Sequence, residues 1–180
     1  GGNGPRATRT IAGTDVYALG ASGLLVALDL ATGTEKWKTN ILNDASAANI
    51  TWGMCGAPLV TEDKVIVNPG GTSDHGLVAY DRATGKVVWH GGSSKAAYSS
   101  PVLAKLADLP QVVIFDATGV AGYDLVTGRE LSMGLMSGNL CFSLETRYLF
   151  PQATMLVPCY CRSKKMMMHG RYPPSGRTKE

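Results

Sequence analysis

The chain has 180 residues, 44% of them hydrophobic, and a formal net charge of +3. No apolar run approaches the length of a membrane-spanning helix, so no transmembrane segment is predicted. Residues 1–131 carry 10 Lys/Arg and 12 Asp/Glu, whereas residues 132–180 carry 7 Lys/Arg and 2 Asp/Glu. The net positive charge therefore comes from the last part of the chain alone. Lys164 and Lys165 lack regularly interleaved aromatic residues, so a nucleic-acid surface is not predicted.

A short pattern occurs twice in full and a third time incompletely. It reads A-L-D-L-A-T-G-T-E-K-W from Ala27, A-Y-D-R-A-T-G-K-V-V-W from Ala79 and G-Y-D-L-V-T-G-R-E-L-S from Gly122. Its Asp can accept hydrogen bonds from the backbone amides ahead, and its Gly takes a positive φ at no steric cost, so each copy predicts a tight turn. The shared positions are Ala27, Asp29, Gly33 and Trp37 in the first copy, Ala79, Asp81, Gly85 and Trp89 in the second, and Asp124 and Gly128 in the third.

Short apolar stretches precede each copy, for example 64–67 and 77–80 in the second repeat and 111–115 and 119–123 in the third. They are rich in Val, Ile and Tyr and too short for helices, so they predict strands. The turn pattern should then join the third and fourth strands of a four-stranded antiparallel sheet.

The spacing of the pattern indicates the architecture. Asp29 and Asp81 are 52 residues apart, and Asp81 and Asp124 are 43 apart. Periods of this size with four strands per unit are typical of β-propeller blades. We therefore predict an all-β chain, a partial β-propeller in 1–131 with three blades at about 5–40, 57–92 and 99–131. Because propellers close with about 4 to 8 blades, we expect the native protein to be longer at both ends.

The tail, residues 132–180, is a different kind of polypeptide. It holds six of the seven Met and three of the four Cys, and it sustains neither strand alternation nor helical periodicity. One alternative reading frame stays open across it, and in that frame the codons of 159–161 encode Leu-Leu whatever codons are used. Two hypotheses remain: a shift of the reading frame near Leu131, or a genuine extension without regular structure.

Candidate chemical sites in the sequence are weak. Cys141, Cys159, Cys161 and His169 fit no zinc-site spacing, and Cys55 is predicted to be a small buried residue. The polar segments 68–75 and 40–52 are interpreted as connections between strands. We therefore predict no catalytic, cofactor-binding or metal-binding residue in this chain.

The pattern Ala-x-Asp-x-x-Thr-Gly-x-x-x-Trp resembles the tryptophan-docking motif of the PQQ-binding-like (quinoprotein) β-propeller repeat. The flanking segments 52–58 and 67–71 look like its bacterial branch of outer-membrane assembly factor B-like proteins, and the resemblance covers residues 4–131. It implies that each Trp stacks between the Ala of its own copy and the peptide plane at the Gly of the adjacent blade. Trp37 would then contact Ala27 and Gly85, and Trp89 would contact Ala79 and Gly128.

The resemblance also implies a function. The first expectation is a non-catalytic scaffold or binding module for other proteins, exported in a bacterium to the periplasm or another extracytoplasmic place, with its oligomeric state left open. The alternative is part of a PQQ-dependent alcohol or sugar dehydrogenase, whose PQQ and Ca²⁺ would be cofactors of the full-length protein and not of this segment. Such enzymes need Ca²⁺ ligands, an Asp base and often two adjacent Cys, and no residue here matches those positions.

Overall fold

The structure, a computed structural model, describes residues 7–106 and 108–135. The predicted tail spans 132–180, and all of it beyond residue 135, including Cys141, Cys159, Cys161 and His169, lies outside the described residues. Within them the chain forms three four-stranded antiparallel sheets, which confirms the predicted all-β architecture.

In each sheet, strands that follow one another in the chain are neighbours. The first sheet contains Thr10–Ala12 (β1), Asp15–Leu19 (β2), Leu24–Asp29 (β3) and Glu35–Asn40 (β4). The second contains Leu59–Val60 (β5), Lys64–Val67 (β6), Leu77–Asp81 (β7) and Val87–Gly91 (β8). The third contains Val102–Leu106 (β9), Leu109–Phe115 (β10), Gly119–Asp124 (β11) and Glu130–Leu135 (β12).

Two features differ from the sequence prediction. A helical turn, Ile41–Asp44 (α1), follows the first sheet, and the Asn40 side chain caps it by accepting hydrogen bonds from the amides of Leu42 and Asn43. The last strand also runs past residue 131, because β12 pairs with β11 as far as Leu135. The loss of the repeat pattern at Ser132 therefore falls inside a strand.

The repeated turn joins the third and fourth strands in all three sheets, as predicted. In the first sheet, the Asp29 Oδ1 atom accepts hydrogen bonds from the Thr32 hydroxyl at 2.8 Å and from the Thr32 amide at 2.9 Å. Gly33 follows with φ of +71°. The hydrogen bond from the Thr32 hydroxyl, and then that from the Thr32 amide, lower the pKa of Asp29. The equivalent hydrogen bonds in the other two turns lower the pKa values of Asp81 and Asp124.

The sheets pack face to face through two hydrophobic clusters. Successive residues of a strand point to opposite faces of its sheet, so the second sheet presents Val65 to the first sheet and Ile66 to the third, both fully buried. The first cluster also includes Tyr17, Leu25, Ala27, Trp37, Val67, Val78 and Tyr80. The second also includes Leu77, Ala79, Trp89, Val112, Ile114, Ala121 and Tyr123.

The connections differ between the two ends of the sheets. Because every sheet is an antiparallel meander, the β2–β3, β6–β7 and β10–β11 loops and both connections between sheets emerge at one end, here called the long-connection end. These segments bind one another: the Trp52 amide donates to the Tyr98 hydroxyl at 3.3 Å, and the Ala57 amide donates to the Ser100 hydroxyl at 2.8 Å. The opposite end carries only the short turns.

Candidate functional site

The first motif tryptophan lies between the first and second sheets. Trp37 is opposite Ala27 in the β3–β4 register, and its indole Nε1 donates to the Arg82 carbonyl at 2.9 Å. Its ring covers Gly85, where an added Cβ would lie 2.6 Å from the Trp37 Cδ2 atom. Only 8% of Trp37 is exposed.

The second motif tryptophan repeats this arrangement between the second and third sheets. Trp89 is opposite Ala79, and its Nε1 donates to the Leu125 carbonyl at 3.2 Å. Gly128 lies directly under the ring, so closely that a Cβ there would overlap the indole. The two rings therefore have equivalent partners: the Ala opposite in the same sheet, the turn Gly of the next sheet, and the backbone carbonyl of the residue that follows the turn Asp of that next sheet.

Arg82 gives the first of these interfaces an additional polar component that the sequence did not predict. Its Nη2 donates to the Ala12 carbonyl at 2.7 Å, and its Nε donates to the Tyr17 hydroxyl at 3.1 Å. Asp15 lies 3.8 Å from the same guanidinium and is paired with Lys36, whose hydrogen bond lowers the pKa of Asp15. The corresponding residue of the third sheet is the apolar Leu125, so the two interfaces differ in chemistry.

Two histidines meet where the β6–β7 loop covers β8. The ring centroids of His75 and His90 are 4.2 Å apart, and the His75 Nδ1 atom lies 2.7 Å from the Ser73 carbonyl oxygen. The Nε2 atom of His90 is buried with no hydrogen-bond partner. Burial, and then the neighbouring His75, lower the pKa of His90, while the Asp44 carboxylate acts against them.

The contact between His75 and His90 predicts that the folded chain becomes less stable at acidic pH. Because the pKa of His90 is lower in the folded chain than its usual 6.5, the unfolded chain takes up the proton first as the pH falls. Above about pH 6.5 the titration of His90 should therefore leave the free energy of unfolding unchanged, and below that pH the free energy of unfolding should decrease. Denaturant titrations at about pH 7.5 and about pH 5 measure the difference.

Three variants test the assignment to His90. His90→Gln should lose most of this pH dependence, His75→Gln should reduce it, and Asp44→Asn should increase it, because Asp44 opposes the lowering of the pKa of His90. An unchanged pH dependence in His90→Gln would assign the effect to other groups.

A small cavity at the long-connection end has room for about one water molecule. Cys55 and Asn68 are among the residues that line it. Cys55 is half-buried rather than buried, and its thiol lies 3.7 Å from the Tyr98 carbonyl. The Asn68 amide nitrogen donates to the Gly76 carbonyl at 2.9 Å, within a loop that joins β6 to β7 as the sequence predicted.

Three aromatic side chains are exposed at the long-connection end. Trp52, Tyr98 and Phe115 are 60%, 51% and 44% exposed. The backbone amide of Trp52 donates to the Tyr98 hydroxyl. The hydroxyl of Ser99, which follows Tyr98 in the chain, donates to the Phe115 carbonyl. We call these three residues the aromatic strip. Sequence reasoning missed it because two of its members come from different connections and the third, Phe115, is the last residue of β10.

The described residues bring together no group of three His, Cys, Asp or Glu side chains that could hold a metal ion. Within the same residues, no helix has the length and apolar character needed to cross a membrane.

The chain is similar to one protein family and to a curated protein of known activity. The family model described as outer membrane protein assembly factor BamB matches residues 2–139. A curated relative, the quinohemoprotein alcohol dehydrogenase ADH IIB of Pseudomonas putida, is 35% identical over an alignment of 103 residues, and the match covers 53% of this chain and 14% of that protein. The match therefore spans about a seventh of that relative's length.

Two solved structures show the same fold. BamB from Moraxella catarrhalis is 22% identical with a TM-score of 0.50, over 73% of this chain and 39% of that one. The quinohemoprotein alcohol dehydrogenase of Comamonas testosteroni is 24% identical with a TM-score of 0.51, over 71% of this chain and 20% of that one. These similarities confirm that the three sheets are blades of a β-propeller.

Proposed function

We propose that this chain, which belongs to the family described as outer membrane protein assembly factor BamB, is a non-catalytic scaffold that binds other proteins. The observation that carries the proposal is the aromatic strip at the long-connection end. Large aromatic side chains are enriched at the centres of protein interfaces, where they supply much of the binding free energy.

The repeat motif supports the same proposal, because its carboxylates and indole rings are engaged in structural contacts within and between the blades. The carboxylates of Asp29, Asp81 and Asp124 accept hydrogen bonds from their own turns. The rings of Trp37 and Trp89 lie between sheets. We propose structural blade-docking roles for Ala27, Asp29, Gly33, Trp37, Ala79, Asp81, Gly85, Trp89, Asp124 and Gly128.

The proposed location is extracytoplasmic, in the periplasm of a bacterium. It is supported by the description of the family model, which names the assembly of outer membrane proteins. The proposed partners are accordingly other proteins of the cell envelope.

Affinity capture of envelope proteins tests the scaffold proposal. Trp52→Ala and Tyr98→Ala should each reduce the amount of specifically captured protein by roughly tenfold or more, as expected for interface hot spots. Val126→Ala is the matched control, since Val126 is 69% exposed but lies on a short turn at the opposite end. Equal capture by all four proteins would refute the role of the aromatic strip.

A second candidate is part of a PQQ-dependent alcohol dehydrogenase, and the 35% identity with the Pseudomonas putida enzyme favours it. In that case PQQ and Ca²⁺ would be cofactors of a longer protein and not of this segment. Purified full-length protein should then reduce an artificial electron acceptor when supplied with PQQ, Ca²⁺ and an alcohol. A scaffold should show no such turnover while retaining its captured partners.

A further inference from the structure

Two imidazole rings meet at the long-connection end of the second sheet. His75 belongs to the β6–β7 loop and His90 to β8. Their ring centroids are 4.2 Å apart and the rings are tilted by 48°, so they are in contact without lying flat on one another. Two nitrogens that bind one Zn²⁺ at about 2.0 to 2.1 Å with tetrahedral geometry are about 3.3 Å apart. Two rings at the observed separation can each place a nitrogen at that distance.

The backbone determines which nitrogen of His75 can bind a cation. Its Nδ1 atom lies 2.7 Å from the Ser73 carbonyl oxygen and 3.2 Å from that of Thr72. Both oxygens are acceptors, so Nδ1 carries the hydrogen and Nε2 of the neutral ring keeps its lone pair. A backbone carbonyl at the other ring nitrogen is the usual support of a histidine that binds a metal.

The second ring has a buried nitrogen without a hydrogen bond. Among the described residues, three buried side-chain polar atoms lack a partner: His90 Nε2, Asn68 Oδ1 and Gln111 Oε1. Such atoms are rare in folded proteins, and an ion is one explanation for them. Of the three, only His90 Nε2 belongs to a side chain that transition metals prefer. Burial lowers the pKa of His90, so the ring is in the neutral form that binds metals at neutral pH.

The loop holds His75 over His90 in a strained conformation. Ser73 and Asp74 have φ values of +56° and +65° and are the only consecutive non-glycine residues with positive φ in the described part of the chain. The Asp74 amide donates to the Ser93 hydroxyl at 3.2 Å, which ties the loop to the segment after β8. Backbone strain of this kind persists where the surrounding structure enforces it, and it is concentrated at functional sites.

A carboxylate near the two rings favours a cation. Asp44 opposes the lowering of the pKa of His90, so its negative charge acts on that ring. The Tyr80 hydroxyl donates to its Oδ2 atom at 2.9 Å and the Thr39 hydroxyl at 2.6 Å, which holds the carboxylate in place. A divalent ion beside His90 would be attracted by the same charge. Asp44 acts at a distance and not as a ligand, since no three ligand side chains of the described residues come together.

We propose that His75 and His90 form a two-histidine site for a divalent transition cation of the kind that prefers imidazole, such as Zn²⁺ or Ni²⁺. The two rings supply two ligands and water supplies the others, so the site is open and exchangeable, unlike a closed structural centre. A bound ion would join the β6–β7 loop to β8. The site is independent of the proposed scaffold function and of the aromatic strip.

Calorimetric titration of the full chain with Zn²⁺ tests the site. The protein carries no histidine tag, and Cys141→Ser, Cys159→Ser, Cys161→Ser and His169→Gln remove the other side chains that bind Zn²⁺ in 136–180. In this background His75→Gln and His90→Gln should each weaken Zn²⁺ binding at least tenfold, because loss of a residue that merely supports a ligand already costs about 10- to 100-fold. Cys55→Ser is the matched control and should leave binding unchanged.

NMR with Ni²⁺ identifies the ligands directly. The same background retains only His75 and His90, so two sets of ring signals remain, and the single variants assign them. Substoichiometric Ni²⁺ should broaden both sets together, because both rings would bind the paramagnetic ion. Zn²⁺ should also raise the urea midpoint of the background protein and leave that of His75→Gln unchanged, since a cation that binds only the folded chain stabilises it.

The outcomes are distinct. Loss of Zn²⁺ binding in both histidine variants, with both ring signals broadened by Ni²⁺, supports the site. No saturable Zn²⁺ binding, binding that survives either substitution, or broadening of one ring alone would each overturn it. Circular dichroism establishes that the variants are folded, and His75→Gln, on the loop, replaces His90→Gln if the latter does not fold. Capture of proteins that depends on Trp52 would be unaffected by any of these results.

Discussion

Replacing Trp89 with alanine should lower the free energy of unfolding of the blades by about 3 to 5 kcal/mol, the range measured for large aromatic truncations in protein cores. Trp89 is 7% exposed and packs with Ile66, Leu77 and other residues of the second cluster. Its removal leaves a cavity between two sheets, and the Leu125 carbonyl loses the hydrogen bond donated at 3.2 Å. Both effects act on the interface that joins the second and third sheets.

Urea titration followed by far-UV circular dichroism measures this effect without relying on tryptophan fluorescence, which the substitution itself changes. Trp52→Ala is the control, because Trp52 is 60% exposed and its loss should cost less than about 1 kcal/mol. Similar losses of stability in the two variants would refute a docking role for Trp89.

The local features of the fold were predictable because they depend on short-range chemistry. The carboxylate of Asp29, the hydroxyl of Thr32 and the positive φ of Gly33 lie within five residues of one another, so the turn can be recognised in the sequence alone. A period of 43 or 52 residues between such turns then leaves room for four strands. The three sheets follow from these two observations.

Two local features were not predicted, and both have physical reasons. Helix α1 has four residues, too few to show a helical period, and depends on the Asn40 cap. Strand β12 continues to Leu135 because backbone pairing with β11 does not require the side-chain pattern that ends at Ser132.

Contacts between distant parts of the chain were not predictable from one sequence. Arg82 lies 65 residues from Tyr17 and 70 from Ala12, and nothing in the local pattern distinguishes it from Leu125 at the corresponding position. The aromatic strip has the same origin, since Trp52 and Tyr98 are 46 residues apart. Only the packing of successive blades brings such residues together, so the candidate binding surface becomes visible with the structure.

Gly85→Ala should destabilise the protein more than Gly33→Ala, although the two glycines have nearly identical backbone conformations. Both substitutions place a Cβ at φ near +70°, which costs roughly 1 to 2 kcal/mol. At Gly85 the Cβ would also lie 2.6 Å from the Trp37 ring, and relief of that overlap adds about 1 to 3 kcal/mol. At Gly33 there is nothing within 4 Å, so only the backbone term applies.

The difference between the two variants isolates the docked ring, since the turn, the residue type and the φ angle are matched. Urea titrations of both variants should be repeated in a Trp37→Ala background, where the extra cost at Gly85 should disappear and the two alanines should become equivalent. Equal costs already in the wild-type background would show that the indole moves away from Gly85 without loss. In that case the close contact between Trp37 and the turn would not stabilise the first interface.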